Sequence, residues 1–225
     1  MKAQIYSIIS VEEALACIEA GADHIGVLVT EPGIECPCPA TMETAKDIFD
    51  AIGDKAVKVL IPGSEDEDQI LEYIKGTGPD IVHLSGTYKS NPEFVKKVKE
   101  LDPNLKIMQA IGVIGKESVE EAKMRAPYAD LLLLDTMIPN EQGGIGAVGV
   151  PHDWSLDKEI VDSVDIPVII AGGLGPDNVV DAIRTVRPYG VDSLTKTSIK
   201  DENGKLLCKD IELVREFCRL AHSDI

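Results

Sequence analysis

Two groups of residues in this chain can do chemistry together: glycines that free backbone N–H groups, and a few ionisable side chains placed near them. In "VIIAGGLGPDNVVDAI", Gly172 and Gly173 follow a β-branched run and precede a helical pattern. Asp177 is placed to cap a helix beginning near Asn178. Glycine lets the backbone approach a ligand closely, and its N–H groups then point at anionic oxygens. The loop "EQGGIGAVG" adds Gly143, Gly144 and Gly146. The segment "DSLTKTS" supplies Thr195 and one cation, Lys196, which can neutralise a phosphate. Together these describe a phosphate cradle, although turns also need glycine and a lysine is usually solvated.

Other side chains suit proton transfer. Asp135 closes the aliphatic run "LLLLD", where desolvation raises a carboxyl toward a useful range. A solvated aspartate that orients a loop is its plainer role. His83 ends another apolar run, and histidine is a base near neutral pH, although a lone strand histidine is more often structural. Cys36 and Cys38, in "CPC", offer a thiolate or part of a soft metal site. Without further clustered ligands they read as two ordinary loop cysteines, so no metal and no cofactor is expected.

The elements that must position these residues alternate along the chain. Apolar runs at Ala3–Ile9, His24–Val29, Ala56–Ile61, Ile81–Leu84, Lys106–Ile111, Leu131–Leu134, Val168–Ala171 and Val191–Leu194 read as strands. Amphipathic stretches such as "VEEALACIEA" and "PDNVVDAIRTV" separate them, and "DIELVREFCRLAHS" closes the chain as a helix. Continuous apolar strands are those covered by helices. Eight strand–helix units predict one α/β domain over residues 1–225, a (β/α)8 TIM barrel, with a doubly wound sheet as the alternative. The long segments after the second, sixth and eighth strands fall on the C-terminal face, where barrel ligands bind. Within the last of them, "DENGKL" reads as an exposed turn.

Composition bounds the partners. The chain has 39 acidic and 22 basic residues, a formal charge of −17. That field opposes nucleic acid and anionic membranes. With only three Phe and one Trp, the core must be aliphatic. The N-terminal "MKAQIYSIIS" lacks a signal-peptide pattern and five scattered cysteines suit a reducing compartment, so a cytoplasmic location is expected. A phosphorylated small molecule is the expected partner, and nothing in the sequence fixes an oligomeric state.

The segments "VEEALACIEAGADHIGVLV", "DIVHLSG", "LLLLDT", "GGIG…DWSL" and "VIIAGGLGPDNVVDAIRTVRPYGVD" resemble, in order and spacing, the phosphoribosylanthranilate isomerase family. The likeness spans nearly the whole chain and is strongest from Asp130 to Asp192. It implies a single (β/α)8 barrel and an Amadori rearrangement in tryptophan biosynthesis, aldose-amine to ketose-amine, with an acid and a base on opposite sides of the sugar. The resemblance makes Asp135 the acid. It places Tyr6 where the family has its cysteine base, and a phenol with a pKa of about 10 is a poor base. His83 stands where the family has glutamine, "LTKTS" replaces its Ser-Ser-Gly-Val-Glu, and its two arginines have no counterpart. His152 and Asp153 match its Phe-Asp-Trp region, where a loop-to-helix support is implied. Three functions remain open on these residues: an isomerase of the parent type using His83, Tyr6 or a loop cysteine as base; an aldolase, epimerase or lyase with Lys196 as a reactive amine; and a non-catalytic sensor of phosphorylated ligands.

Overall fold

A computed structural model describes residues 1–31, 33–34, 36–86, 88–137 and 151–223. Eight parallel strands close into a barrel: β1 (Lys2–Ile5), β2 (His24–Val29), β3 (Val57–Pro62), β4 (Ile81–Leu84), β5 (Lys106–Val113), β6 (Leu131–Thr136), β7 (Val168–Ile170) and β8 (Gly190–Ser193). Closure is made by β1 against β8, with Lys2 opposite Gly190 and Ile5 opposite Ser193. The helices are α1 (Val11–Glu19), α2 (Met42–Ile52), α3 (Glu67–Thr77), α4 (Pro92–Leu101), α5 (Glu117–Arg125), α6 (Trp154–Ser163), α7 (Val179–Val186) and α8 (Ile211–Ala221). The open-sheet alternative is thereby excluded. Among the described residues no helix is long and apolar enough to cross a membrane.

Helix starts follow from local chemistry. Ser10, Thr41, Asp66, Asn91, Asp153 and Asp210 each accept a hydrogen bond from a first-turn N–H. The first is a full capping box, because Glu13 also accepts from Ile9 N at 2.9 Å. That box ends the expected first strand early. Ile9 is apolar, but its N–H serves the entry to α1; β1 stops at Ile5, although Ile8 N still donates to Gly26 O of β2 at 3.0 Å.

Side chains on the two sheet faces fill two cores. The larger lies between sheet and helices, with Phe94 and Phe217 its largest fully buried members among mostly aliphatic neighbours. The smaller fills the barrel itself and includes Tyr6, Val59, Ile81, Met108, Leu133 and Ile169. The barrel interior is thus packed, and a ligand must sit above it at the strand ends.

Two further differences from the sequence reading bear on the site. Strand β6 runs on to Thr136, so Asp135 is part of the ladder, opposite Gly112. The segment after β8 is also more ordered than a simple exposed turn. It forms an antiparallel hairpin, β9 (Ser198–Lys200) with β10 (Leu206–Lys209). Apolar residues flank the turn, whose Asp201 carboxylate accepts from Asn203 N and Lys205 N at 2.9 and 2.8 Å.

Candidate active site

The tip of β6 carries the best-placed acid. Asp135 is half-buried, and its Oδ1 accepts from Thr136 N at 2.7 Å. Burial pushes its carboxyl up to about 6, while the Thr136 N–H and the nearby His152 pull the other way. An acid poised there transfers protons at neutral pH far better than an ordinary aspartate.

Beside it the backbone of β7 turns through Gly172 (φ +84°) and Gly173 (φ +62°). Only glycine adopts these angles without strain. A Cβ on Gly172 would also stand 2.4 Å from Thr136 Oγ1. The turn is therefore packed against the acid-bearing strand. Asp177 does not cap the following helix. Asn178 occupies that position, accepting from Gly175 N at 2.9 Å and donating to Gly173 O at 3.0 Å, which braces the turn internally. Asp177 instead pairs with Lys196 Nζ at 2.6 Å. Thr195 and Lys196 lie in a 3-10 turn at the end of β8, and the Lys196 side chain passes close over Gly175. Lys196 is thus at the rim of the cradle with an aspartate partner. Gly143, Gly144 and Gly146 lie outside the described residues.

Tyr6 and His83 meet across the barrel. The phenol oxygen is 2.6 Å from His83 Nδ1, and the rings stack at 5.3 Å with an interplanar angle of 13°. A Cβ on Gly26 would fall 1.6 Å from the Tyr6 ring, so glycine on β2 makes the space for that ring. Burial drives the His83 imidazole down to about 3. Burial, with the charges of Asp192 and Asp135, pushes the Tyr6 phenol well above its ordinary value. Both groups are neutral at neutral pH, and one hydrogen bond joins the phenol to Nδ1. A phenol that holds its proton and an imidazole this weakly basic make poor general bases.

Below them lies a polar set that the sequence reading missed. Asp192 on β8 is buried, 3.4 Å from Gln4 Nε2, and Gln4 Oε1 is 3.0 Å from His24 Nδ1. Burial, reinforced by Asp135, raises the Asp192 carboxyl well above its usual range, and burial lowers His24 to about 4. The signal for Asp192 was a carboxylate inside an otherwise apolar strand, "GVDS".

Cys36 and Cys38 sit apart from Asp135, beside the hairpin. Cys38 donates to Leu206 O at 3.5 Å, and both cysteines line a cavity of about 810 Å³ together with Ile34, Pro39 and Lys205. Among the described residues no three His, Cys, Asp or Glu side chains cluster as a metal site. Asp153 caps α6 through Ser155 N at 2.9 Å, and His152 faces inward against Thr136.

The arrangement is an acid at one strand end, an adjacent glycine turn braced by Asn178, and a neutral aromatic pair in the barrel. Comparison with known proteins finds the following likenesses for the chain. Residues 13–219 match the model of N-(5'phosphoribosyl)anthranilate (PRA) isomerase. An N-(5'-phosphoribosyl)anthranilate isomerase of Methanocella arvoryzae is 35% identical over 206 residues, covering 92% of this chain and 91% of that protein. The crystal structure of phosphoribosyl anthranilate isomerase from Thermotoga maritima is 27% identical, with a TM-score of 0.77 and 98% of each chain covered. A phosphoribosyl anthranilate isomerase solved in complex with reduced 1-(o-carboxyphenylamino)-1-deoxyribulose 5-phosphate is 25% identical, with a TM-score of 0.74 and 98% of each chain covered. On the fold, the strand-end geometry and these matches, the chain belongs to the N-(5'-phosphoribosyl)anthranilate isomerase family.

Proposed function

We propose that the chain is an isomerase that takes a phosphorylated sugar-amine through an aldose-to-ketose rearrangement, with Asp135 as its general acid. The observation that carries this is the Asp135 carboxyl, raised to about 6 beside the Gly172 turn. Gly172, Gly173, Thr195 and Lys196 receive the phosphate in this reading, and Gly143, Gly144 and Gly146 close over it. The family member solved with a deoxyribulose phosphate supports the ligand class. Asp135 gives its proton to the ring oxygen, the C–O bond at the anomeric carbon opens, and an iminium forms with the substrate's own nitrogen. The Asp135 carboxylate left by that step then takes the neighbouring C–H proton, giving the enol-amine; a proton returned to the former anomeric carbon as the enol O–H ionises yields the ketose. Tyr6 and His83 serve as a neutral hydrogen-bonded floor under the sugar. Free thiols at all five cysteines suit the cytoplasm as the place of work.

A second reading is favoured by the inert Tyr6–His83 pair, which stands where the resembling family keeps its base. The same cradle then holds a different phosphorylated substrate. Lys196 is a weak candidate for a Schiff base there, because its amine is held by Asp177 at 2.6 Å. Purified protein incubated with phosphoribosylanthranilate, alongside growth rescue of a tryptophan auxotroph, separates the two. Turnover that falls by about 10²-fold or more in Asp135→Asn supports the parent reaction. No turnover and no rescue, with thermal stabilisation by other sugar phosphates, supports the second.

A further inference from the structure

His152 and Asp157 flank the start of α6, and the first turn of that helix brings them together. His152 Nε2 is 2.7 Å from Asp157 Oδ1, and His152 Nδ1 is 2.9 Å from Thr136 Oγ1. Thr136 N in turn donates to Asp135 Oδ1 at 2.7 Å. The His152 side chain is 6% exposed and that of Asp157 0%. A line of bonded groups therefore runs from a fully buried carboxylate to the acid of the site. It also abuts the glycine turn, since a Cβ on Gly172 would stand 2.4 Å from Thr136 Oγ1 and 3.0 Å from His152 Nδ1.

A buried ion pair is a poor device for stability alone, because apolar side chains of similar volume commonly do as well. Asp157 Oδ2 is moreover buried with no hydrogen-bond partner among the described residues. Such a cost points to function.

We propose that His152 and Asp157 are a positioning pair for Asp135, fixing the Thr136 hydroxyl and the end of β6 that carries the acid. The proposal rests on Asp135 being the ligand-facing acid. With a neutral imidazole, Nε2–H donates to Asp157 and Nδ1 accepts from the Thr136 hydroxyl. Among the described residues the charged groups around the imidazole are Asp135 on β6, and Asp153 and Asp157 at α6. The pair also reaches the acid through its charges: His152 draws the Asp135 carboxyl down and Asp157 pushes it up.

The test is an NMR titration of the full chain, following the Asp135 carboxyl carbon. In His152→Gln the Asp135 midpoint should move up from about 6. In His152→Gln/Asp157→Asn, which leaves no unpaired buried charge, it should move up by less. With phosphoribosylanthranilate as substrate, the alkaline limb of kcat should move up with it in each variant, and kcat should change more than KM. An unmoved Asp135 midpoint in folded His152→Gln would overturn the pairing. Should only the double variant fold, an unmoved midpoint together with an unchanged kcat would do the same. A moved midpoint without turnover removes the reaction and leaves the pair; turnover that needs Asp135 but ignores His152 removes the pair.

Discussion

Asp135 holds a proton that an ordinary aspartate would have lost two pH units lower, and the cause is its position at the end of an aliphatic strand. That position costs stability once the carboxyl ionises. The native pKa of about 6 lies above the unfolded value near 3.8, so the folded state binds more protons between these limits. The favourable contribution is complete below about pH 4 and is lost as pH rises through 6. Asp135→Asn keeps an acceptor for Thr136 N and never ionises. It should be more stable than the unmodified protein at pH 8, by on the order of 1 kcal/mol after allowing for the half-exposed site, and equal to it at pH 4. Urea unfolding at both pH values checks this; a difference that persists at pH 4 would point to packing. Asp135 was legible in the sequence because its cue is local. The Tyr6–His83 bond was not, because 77 residues separate the partners and only barrel closure joins them. His152 and Asp157 lie five residues apart, yet the cap at Asp153 between them decides that they meet.

Elements with strong periodicity were legible in the same way, and the failures cluster where a local device overrides it. All eight barrel strands fall within the apolar runs or close to them, but the capping box at Ser10 takes Ile9 out of β1. The hairpin β9–β10 was missed as strands because each is short, with three and four residues, and mostly exposed. It is held to the rim by Lys209, whose Nζ reaches Ser198 Oγ at 2.8 Å and Leu194 O at 3.3 Å, while its backbone N–H meets Glu13 Oε1. Burial lowers the Lys209 amine, and Glu13 works against that shift. Lys209→Met keeps the side-chain length, removes the two Nζ donations and leaves the backbone N–H to Glu13 in place. It should cost about 1–3 kcal/mol, the range for leaving buried acceptors unmade. Amide hydrogen exchange should show the loss locally, with Ile199 and Cys208 exchanging faster and Ile25 and Leu133 little changed. Uniformly faster exchange would mean that Lys209 supports the barrel as a whole.

At the scale of the whole molecule, the fold follows from repetition: strand and helix patterns alternate, and the eight parallel strands close so that helices cover one face and the strands' own side chains fill the other. The charge of −17 has a consequence of its own. A phosphorylated substrate approaches a field of its own sign, and the rim cation Lys196 is partly cancelled by Asp177 at 2.6 Å. In the proposed function, binding relies on short-range donors, the turn N–H groups at Gly172 and Gly173, while long-range forces oppose encounter. Salt should therefore help. Between about 10 and 150 mM KCl the Debye length falls from roughly 30 to 8 Å, which screens the repulsion and leaves contacts inside the cradle nearly intact. The expected result is that kcat/KM for the phosphorylated substrate rises across this range, through KM, while binding of an uncharged sugar analogue stays flat. A protein whose local cations dominate capture would lose kcat/KM over the same range. That outcome would mean that Lys196 leaves Asp177 to meet the ligand, and Asp177→Asn would then raise affinity most at low salt.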